Sequence, residues 1–277
     1  MQWTWMSLGL IAAMVLGCGD GSGSEETVAG TSFEVEALVN GEAMSCEEVH
    51  EEVGLGGDVL RIRDFRLYIH DLVGIDEAGE RRELTLVDDG RWQSEAVALL
   101  NFSDGSGHCQ EAMGDERGVI EVQEEGPWTG LEFRIGVPRD HNHLDVATAQ
   151  APLNTTAMFW SWTTGYKFLR LDATIGEDQG FAFHLGSTQC EPAPHGEIPE
   201  CGRGHRPRVL VASAELEDQA IQIDLGHLLE GSDLSDEGAR CMSEADDPGC
   251  QPLFERLGLD ESDGWVQDGL FWVGGPR

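Results

Sequence analysis

The chain has 277 residues, of which 52 are Asp or Glu and 17 are Lys or Arg, so its formal net charge is −35. A field of that sign repels nucleic acid and anionic lipid headgroups, which excludes both as partners held by charge. The same field favours cations and basic protein surfaces.

The amino-terminal segment predicts export and lipid anchoring. Residues 1–17 carry no charge and contain an apolar run, Leu8–Leu16, that is too short to span a bilayer and fits a secretory signal peptide. The run ends at Leu16-Gly17-Cys18, which resembles a bacterial lipobox, although Leu16 is larger than usual and no Lys or Arg precedes the run. Residues 18–32, rich in Gly, Ser and Glu, predict a flexible tether. An ordinary buried amphipathic segment is the alternative.

Residues 33–277 predict one all-β domain. Alternation of apolar and polar residues marks the expected strands: Phe33–Val39, Val59–Val73, Leu84–Val87, Leu131–Val137, Tyr166–Ala173, Phe181–Leu185, Val209–Ala214 and Ala220–Leu225. Helical periodicity is limited to Gly226–Glu230 and Gln251–Leu257. Short strands separated by Gly, Pro and Asp turns are typical of an antiparallel β-sandwich-like domain with long loops and a few short helices.

Six cysteines follow Cys18, and an even number of them in an exported chain predicts disulfides. Proximity along the sequence suggests two pairs, Cys190–Cys201 and Cys241–Cys250, and this leaves Cys46–Cys109, although six cysteines allow many other pairings. A zinc site is the alternative, but the chain contains no Cys-x-x-Cys pair.

The sequence motifs of several common enzyme classes are absent. The chain has no Gly-x-Gly-x-x-Gly, no phosphate-binding loop, no His-Glu-x-x-His and no Gly-x-Ser-x-Gly. We therefore expect no catalytic residues and interpret the chain as a binding protein rather than an enzyme.

The stretch from Gly136 to Cys190 is the most informative part of the chain. It contains, in order, Gly136-Val137-Pro138, Asn142-His143, Pro152-Leu153-Asn154, Met158-Phe159-Trp160-Ser161-Trp162, Gly165-Tyr166-Lys167-Phe168 and Phe183-His184-Leu185-Gly186-Ser187-Thr188. These blocks resemble the MbnP family, also described as metallo-mystery-pair four-Cys proteins. Gln189 departs from the pattern, because a glycine is usual there. Shorter matches, among them Asp64–His70, extend the resemblance over most of the mature chain.

The resemblance implies a copper-binding protein of the periplasm or cell surface, paired with a diheme protein of the cytochrome c peroxidase and MauG type. In this family and its methanotroph copper-protein relatives, a tryptophan is oxidised to kynurenine and histidines help to bind copper. Trp160 and Trp162 are the candidates for oxidation, because alternate residues of a strand point to one face. Packing of both indoles in the core or at an edge is the alternative.

The histidines that lie in the matching blocks are the expected copper ligands: His70, His143 and His184. Their positions can converge, and imidazole suits copper in either oxidation state. His141 is the reserve ligand. We expect the histidines outside these blocks on the surface: His50, His195, His205 and His227.

Two other functions remain open at this point. The chain could be a carbohydrate- or protein-recognising β-sandwich in which Trp160 and Trp162 form a stacking surface. It could also be a copper enzyme that uses an open coordination position for oxygen chemistry.

The first prediction concerns the anchor. Changing Cys18 to Ser should release the protein from the membrane fraction into the soluble fraction, because the lipidated residue supplies the predicted membrane attachment. Fractionation of cells that express each form measures this. A variant that remains membrane-bound at the parent level would place the anchor elsewhere.

Overall fold

The computed structural model describes residues 30–161, 163–194, 197–235, 240–244, 246–259, 264–267 and 269–274. The expectations for the signal peptide, for Cys18 and for Trp162 therefore lie outside the described residues, as does most of the tether.

Strands dominate the described part of the chain. They are β1 (Thr31–Val39), β2 (Glu42–Ala43), β3 (His50–Val53), β4 (Asp58–Ile75), β5 (Arg81–Glu83), β6 (Gln93–Ser94), β7 (Val97–Asn101), β8 (Val119–Val122), β9 (Gly130–Ile135), β10 (Phe159–Ser161), β11 (Gly165–Tyr166), β12 (Leu169–Ile175), β13 (Gln179–Leu185), β14 (Thr188–Glu191), β15 (Glu200–Arg203), β16 (Arg208–Ala212), β17 (Ile221–Asp224), β18 (Arg240–Cys241) and β19 (Phe271–Val273). The helices are α1 (Leu225–Leu229) and α2 (Gln251–Leu257), with short 3₁₀ turns at Gly107–Cys109 and Thr156–Met158. The predicted all-β class is confirmed.

Two large sheets pack around one apolar core. The larger has ten strands, in the order β16-β9-β4-β12-β13-β18, with β3, β5 and β7 also paired to β4 and β6 paired to β7. The second has five strands, in the order β19-β17-β1-β2, with β8 paired to β1. Buried apolar residues of both sheets join a single cluster, which gives the sandwich-like architecture. Most pairs are antiparallel, as predicted, but the β1–β17 and β13–β18 pairs are parallel.

Strand β4 organises the larger sheet, because its 18 residues pair with β9 and β12 and with three shorter strands. A bulge interrupts its register with β12, where Asp64 pairs with Asp172 but Ile62 pairs with Ala173. Bulges of this kind change which side chains face the core. Ile62 and Phe65 can therefore both be fully buried, while Asp64 and Arg66 share a face.

Two predicted strands differ from the structure. Leu84–Val87 is not a strand: the strand is β5, just before it, and within the predicted range only Leu86 forms an isolated bridge, to Val122. Leu84 and Leu86 are buried, so the alternation of apolar and polar residues here arises from a loop that packs on the core. The predicted strand Tyr166–Ala173 is broken at Lys167 and Phe168, where the chain leaves the small β10–β11 sheet for the large one.

The three disulfides confirm the pairing suggested by sequence proximity: Cys46–Cys109, Cys190–Cys201 and Cys241–Cys250. Disulfides persist in oxidising compartments, so the domain belongs outside the cytoplasm. Among the residues that the structure describes, no helix is long and apolar enough to cross a membrane.

Candidate functional site

A row of charged side chains crosses the face of the large sheet that points away from the core. Arg66 is 1% exposed and donates from Nε to Asp64 Oδ1 over 2.6 Å. Arg170 on β12 adds a second contact, with its Nε 3.2 Å from Asp64 Oδ2. Buried charges are strongly unfavourable unless they are paired and hydrogen-bonded. The contacts with Asp64 therefore make it possible for Arg66 to be buried.

The row ends at His184, which strand β13 places opposite Arg170. Its Nε2 lies 2.7 Å from Asp172 Oδ1, and Arg170 donates to the other carboxylate oxygen of Asp172 over 2.6 Å. Burial raises the pKa of Asp172, but the hydrogen bond and charge of His184 and the charge of Arg170 outweigh it and lower the pKa to about 2. A carboxylate that holds one ring nitrogen orients the other toward a metal, so His184 offers Nδ1 as its ligand atom.

Trp160 lies beside this histidine. The centroids of the Trp160 and His184 rings are 6.4 Å apart, and the indole covers Gly186 so closely that any Cβ at that position would overlap its six-membered ring. The Lys167 ammonium and the Arg170 guanidinium both donate to the carbonyl of Ala157, at 2.9 and 3.1 Å, and so hold the segment that leads into β10. Trp160 is thus fixed next to an imidazole, with part of its ring used for packing.

His70 occupies a different kind of environment. It is 2% exposed, and neither of its ring nitrogens makes a hydrogen bond with any described residue. Asp71 Oδ1 is 3.1 Å from Nδ1, within ion-pair distance but outside hydrogen-bond geometry. Burial is the main reason that the pKa of His70 is lowered; the neighbouring Asp71 carboxylate opposes this shift, and the charges of Arg206 and Arg134 add to it. The ring is therefore neutral at physiological pH, which is the protonation state that binds metals.

His143 lies in the loop after β9, next to the Cys190–Cys201 disulfide. Its Nε2 is 3.2 Å from the Asn142 side-chain nitrogen and 3.6 Å from Cys201 Sγ. It lines a cavity of about 250 Å³ together with Arg139 and Arg206.

The structure does not bring the predicted ligands into one cluster. Among the described residues, two groups of at least three potential ligands have their ligand atoms within 4.8 Å of one another: His143 with Cys190 and Cys201, and Asp104 with Cys46 and Cys109. The set of His70, His143 and His184 is not such a group, so a shared ion would require these side chains to move closer together. Both groups that do form contain a disulfide.

The surface assignment of the remaining histidines is partly wrong. His205 is 3% exposed, because its Nδ1 is bonded to the Gly186 carbonyl at 2.8 Å and its ring packs on Phe254. His50 is also buried. The side chain of His227 is 42% exposed, as predicted, and His195 lies outside the described residues.

Several of the recognised sequence blocks are joined by hydrogen bonds around Tyr166. Its hydroxyl donates to the Leu153 carbonyl over 2.7 Å, and its amide donates to Asn142 Oδ1 over 3.1 Å. Burial raises the pKa of the Tyr166 hydroxyl to about 12, so it remains a donor at neutral pH. The blocks therefore hold the loop that precedes Trp160.

Gln189 shows why glycine is usual at its position. Its φ is +56°, in the left-handed region that residues other than glycine adopt only at a cost of about 1–2 kcal/mol. The departure from the family pattern is therefore a locally strained residue, directly before Cys190.

The charged residues beside His184 (Asp64, Arg66, Arg170 and Asp172) were not predicted from the sequence as site residues. A signal for them was present, because Asp64-x-Arg66 and Arg170-x-Asp172 place opposite charges on one face of two predicted strands. The mirrored order indicates neighbouring antiparallel strands, and β4 and β12 are such a pair.

Comparisons with known proteins identify a matching family and a similar solved structure. The family model described as MbnP matches residues 28–243. A solved structure described as MbnP from Methylosinus trichosporium is 23% identical, with a TM-score of 0.74 over 89% of this chain and 98% of that one. That likeness shows a shared fold. No curated protein matches the chain.

The second prediction follows from the lowered pKa of Asp172. Its ionised form is stabilised in the fold, since its pKa falls from 3.8 to about 2, so it contributes stability above pH 4 that is lost as pH falls toward 2. Asp172→Asn should reduce the free energy of unfolding by about 2 kcal/mol at pH 7, and the difference from the parent should shrink between pH 5 and pH 3. Urea unfolding across this range measures it. Asp178→Asn, in an exposed turn, is the control, and a gap independent of pH would contradict the assignment.

Proposed function

Because the chain belongs to the MbnP family, we propose that it is an exported copper-binding lipoprotein whose tryptophan is the substrate of a diheme partner of the cytochrome c peroxidase and MauG type. In this proposal the protein is not an enzyme: it holds the metal and is itself modified. Family membership supports the association with copper. The diheme partner and the tryptophan oxidation are what the resemblance implies, and export with lipid anchoring is inferred from the amino-terminal sequence.

The observation on which the proposal depends most is the environment of His70. A buried imidazole normally satisfies at least one ring nitrogen, because an unpaired buried polar group costs about 1–3 kcal/mol. Both nitrogens of His70 lack a hydrogen bond within the described structure. A metal bound to one of them would remove that cost, and the lowered pKa keeps the ring neutral and ready to bind. His70 therefore fits copper better than it fits a purely structural role.

His184 supports the proposal in a second way. Its Nε2 is held by Asp172, and this arrangement of carboxylate, histidine and metal is the usual one for metal-binding histidines. The Asp172 carboxylate is fixed in turn by Arg170. His143 remains a predicted ligand, and its own variant must decide whether it binds the same ion.

The position of Trp160 fits its oxidation. Opening the indole to kynurenine creates an aniline nitrogen and a ketone, which are polar groups next to His184 where the unmodified ring offers only one N–H. Packing of the ring against Gly186 argues against a free stacking platform for sugars. The two tryptophans, Trp160 and Trp162, both remain candidates, because Trp162 lies outside the described residues.

The overall charge fits this role as well. With a formal net charge of −35, the protein attracts cations from solution without requiring a dedicated entry channel. Anchoring through Cys18 would keep the domain at the membrane surface, and the disulfides agree with an envelope compartment.

The third prediction tests the metal ligands. His70→Ala should lower copper affinity more than about 100-fold, because even indirect partners of a metal ligand contribute about 10–100-fold. His184→Ala and His143→Ala test the other two predicted ligands. Competition with a chromophoric copper chelator measures each affinity, with His227→Ala as the exposed control. If His70→Ala binds copper as tightly as the parent does, the copper site lies elsewhere, and His141 becomes the next candidate.

The fourth prediction concerns the tryptophans. Protein isolated from a host that expresses the diheme partner should carry one carbon fewer and one oxygen more on the peptide that contains Trp160 and Trp162. Protein made without the partner should keep both indoles. Peptide mass analysis distinguishes these forms, and Trp160→Phe identifies which residue is modified. Intact indoles in the presence of the active partner would remove kynurenine formation from the proposal.

A further inference from the structure

The Cys190–Cys201 disulfide differs from the other two in its accessibility. Cys46, Cys109, Cys241 and Cys250 are each at most 4% exposed. Cys190 and Cys201 are partly exposed, on the two-stranded β14–β15 sheet, and Cys201 lines the cavity of about 250 Å³ that also contains His143. A reductant in solution can therefore reach this disulfide before the buried pairs.

The same two sulfur atoms form a cluster with an imidazole. One sulfur of each cysteine and a ring nitrogen of His143 all lie within 4.8 Å of one another. The Asn142 side-chain amide donates to His143 Nε2, so this nitrogen carries the lone pair that a metal would use, and it is the atom 3.6 Å from Cys201 Sγ. The donor atoms of a two-sulfur, one-nitrogen site are thus already close together.

The other cluster of this kind lacks these properties. Asp104 lies near the Cys46–Cys109 disulfide, but its carboxylate is a hard oxygen donor, and both cysteines are buried. Thiolates select soft or borderline ions, to which an imidazole is well suited and a single carboxylate much less so. Only the Cys190–Cys201 cluster, among the described residues, combines accessible sulfur with a nitrogen donor.

We propose that reduction of the Cys190–Cys201 disulfide creates a second metal site, formed by the two cysteine sulfurs and His143, that takes a d¹⁰ cation, Cu⁺ or Zn²⁺. Two thiol groups of a dithiol reductant supply two electrons and two protons. The Cys190–Cys201 bond breaks, one disulfide forms in the reductant, and two protein thiols result. Metal binding then displaces both thiol protons into solution, and the sulfurs bind as thiolates.

The charged side chains that line the cavity beside Cys201 are Arg139, Arg206 and Glu200. Arg139 is paired with Glu200 over 2.8 Å. Two thiolates balance the charge of a divalent cation. The site would hold metal only under reducing conditions, so metal binding here is coupled to the redox state of the disulfide.

This inference concerns the reduced protein, whereas the proposed copper function uses the oxidised protein and depends on His70. His143 is a predicted ligand in both. The readout is the metal binding gained on reduction through the cysteine sulfurs, so loss of copper binding in His70→Ala and loss of the sulfur signal in the cysteine variant are separate outcomes.

The experiment uses the full chain under anaerobic conditions at neutral pH. Limited phosphine should release two thiols, which alkylation and peptide mapping should assign to Cys190 and Cys201. Added Co²⁺ should then bind at one more ion per chain than in the oxidised protein, with a thiolate-to-cobalt charge-transfer absorption that the oxidised protein lacks. Parallel displacement of Co²⁺ by Zn²⁺ and by Cu⁺ shows which ion the site prefers.

Matched variants test the assignment. The double variant Cys190→Ser with Cys201→Ser should abolish the charge-transfer absorption, and His143→Ala should weaken Co²⁺ binding by about tenfold or more. His227→Ala should leave it unchanged. Three outcomes would each overturn the proposal. The first thiols could appear at another cysteine pair, the reduced parent could lack the charge-transfer absorption, or His143→Ala could bind Co²⁺ as tightly as the parent. The first two outcomes are measured on the parent protein and stand even if the serine variant fails to fold.

Discussion

The need to pair buried charge on the outer face of the large sheet governs the arrangement of the candidate site. Arg66 is 1% exposed, and it is tolerated there only because Asp64 accepts from it and Arg170 approaches the same carboxylate. Those contacts require β4 and β12 to keep one register, which the bulge opposite Asp172 sets. The orientation of His184, and through Arg170 the path of the loop before Trp160, follow from the same pairs.

The sequence blocks that resemble the family therefore have two different roles. Tyr166 and Asn142 bind loop segments to one another and have no need of a metal to explain them. The ring nitrogens of His70 make no hydrogen bond within the described residues, although Asp71 Oδ1 lies 3.1 Å from Nδ1. Some residues of these blocks thus shape the loops, whereas the environment of His70 is incomplete without a ligand. The resemblance alone does not contain this difference, so it could not show which of the three histidines is best placed to bind a metal.

Much of the fold follows from the sequence, and much of the site does not. Period-two patterns located β4, β9 and β13, and helix α2 was predicted with its observed bounds, because these elements bury one face. The Leu84–Val87 pattern misled, since a loop that buries alternate leucines resembles a strand. The burial of His205 and the separation of His143 from His184 depend on long-range packing, which no local pattern contains. Proximity along the chain predicted the Cys190–Cys201 and Cys241–Cys250 disulfides, because short loops close most readily, and Cys46–Cys109 was the pair that remained.

The half-buried ammonium of Lys167 offers a way to follow the motion of the segment beside Trp160 by chemical labelling. It is the only lysine in the chain, and burial, aided by the charge of Arg170, lowers its pKa to about 8. Apart from the chain's amino terminus, an amine-reactive dye therefore has one target, whose neutral form is accessible in mildly alkaline buffer. Since this amine is bonded to the Ala157 carbonyl, the labelling rate reports how often the segment beside Trp160 opens, without any engineered residue.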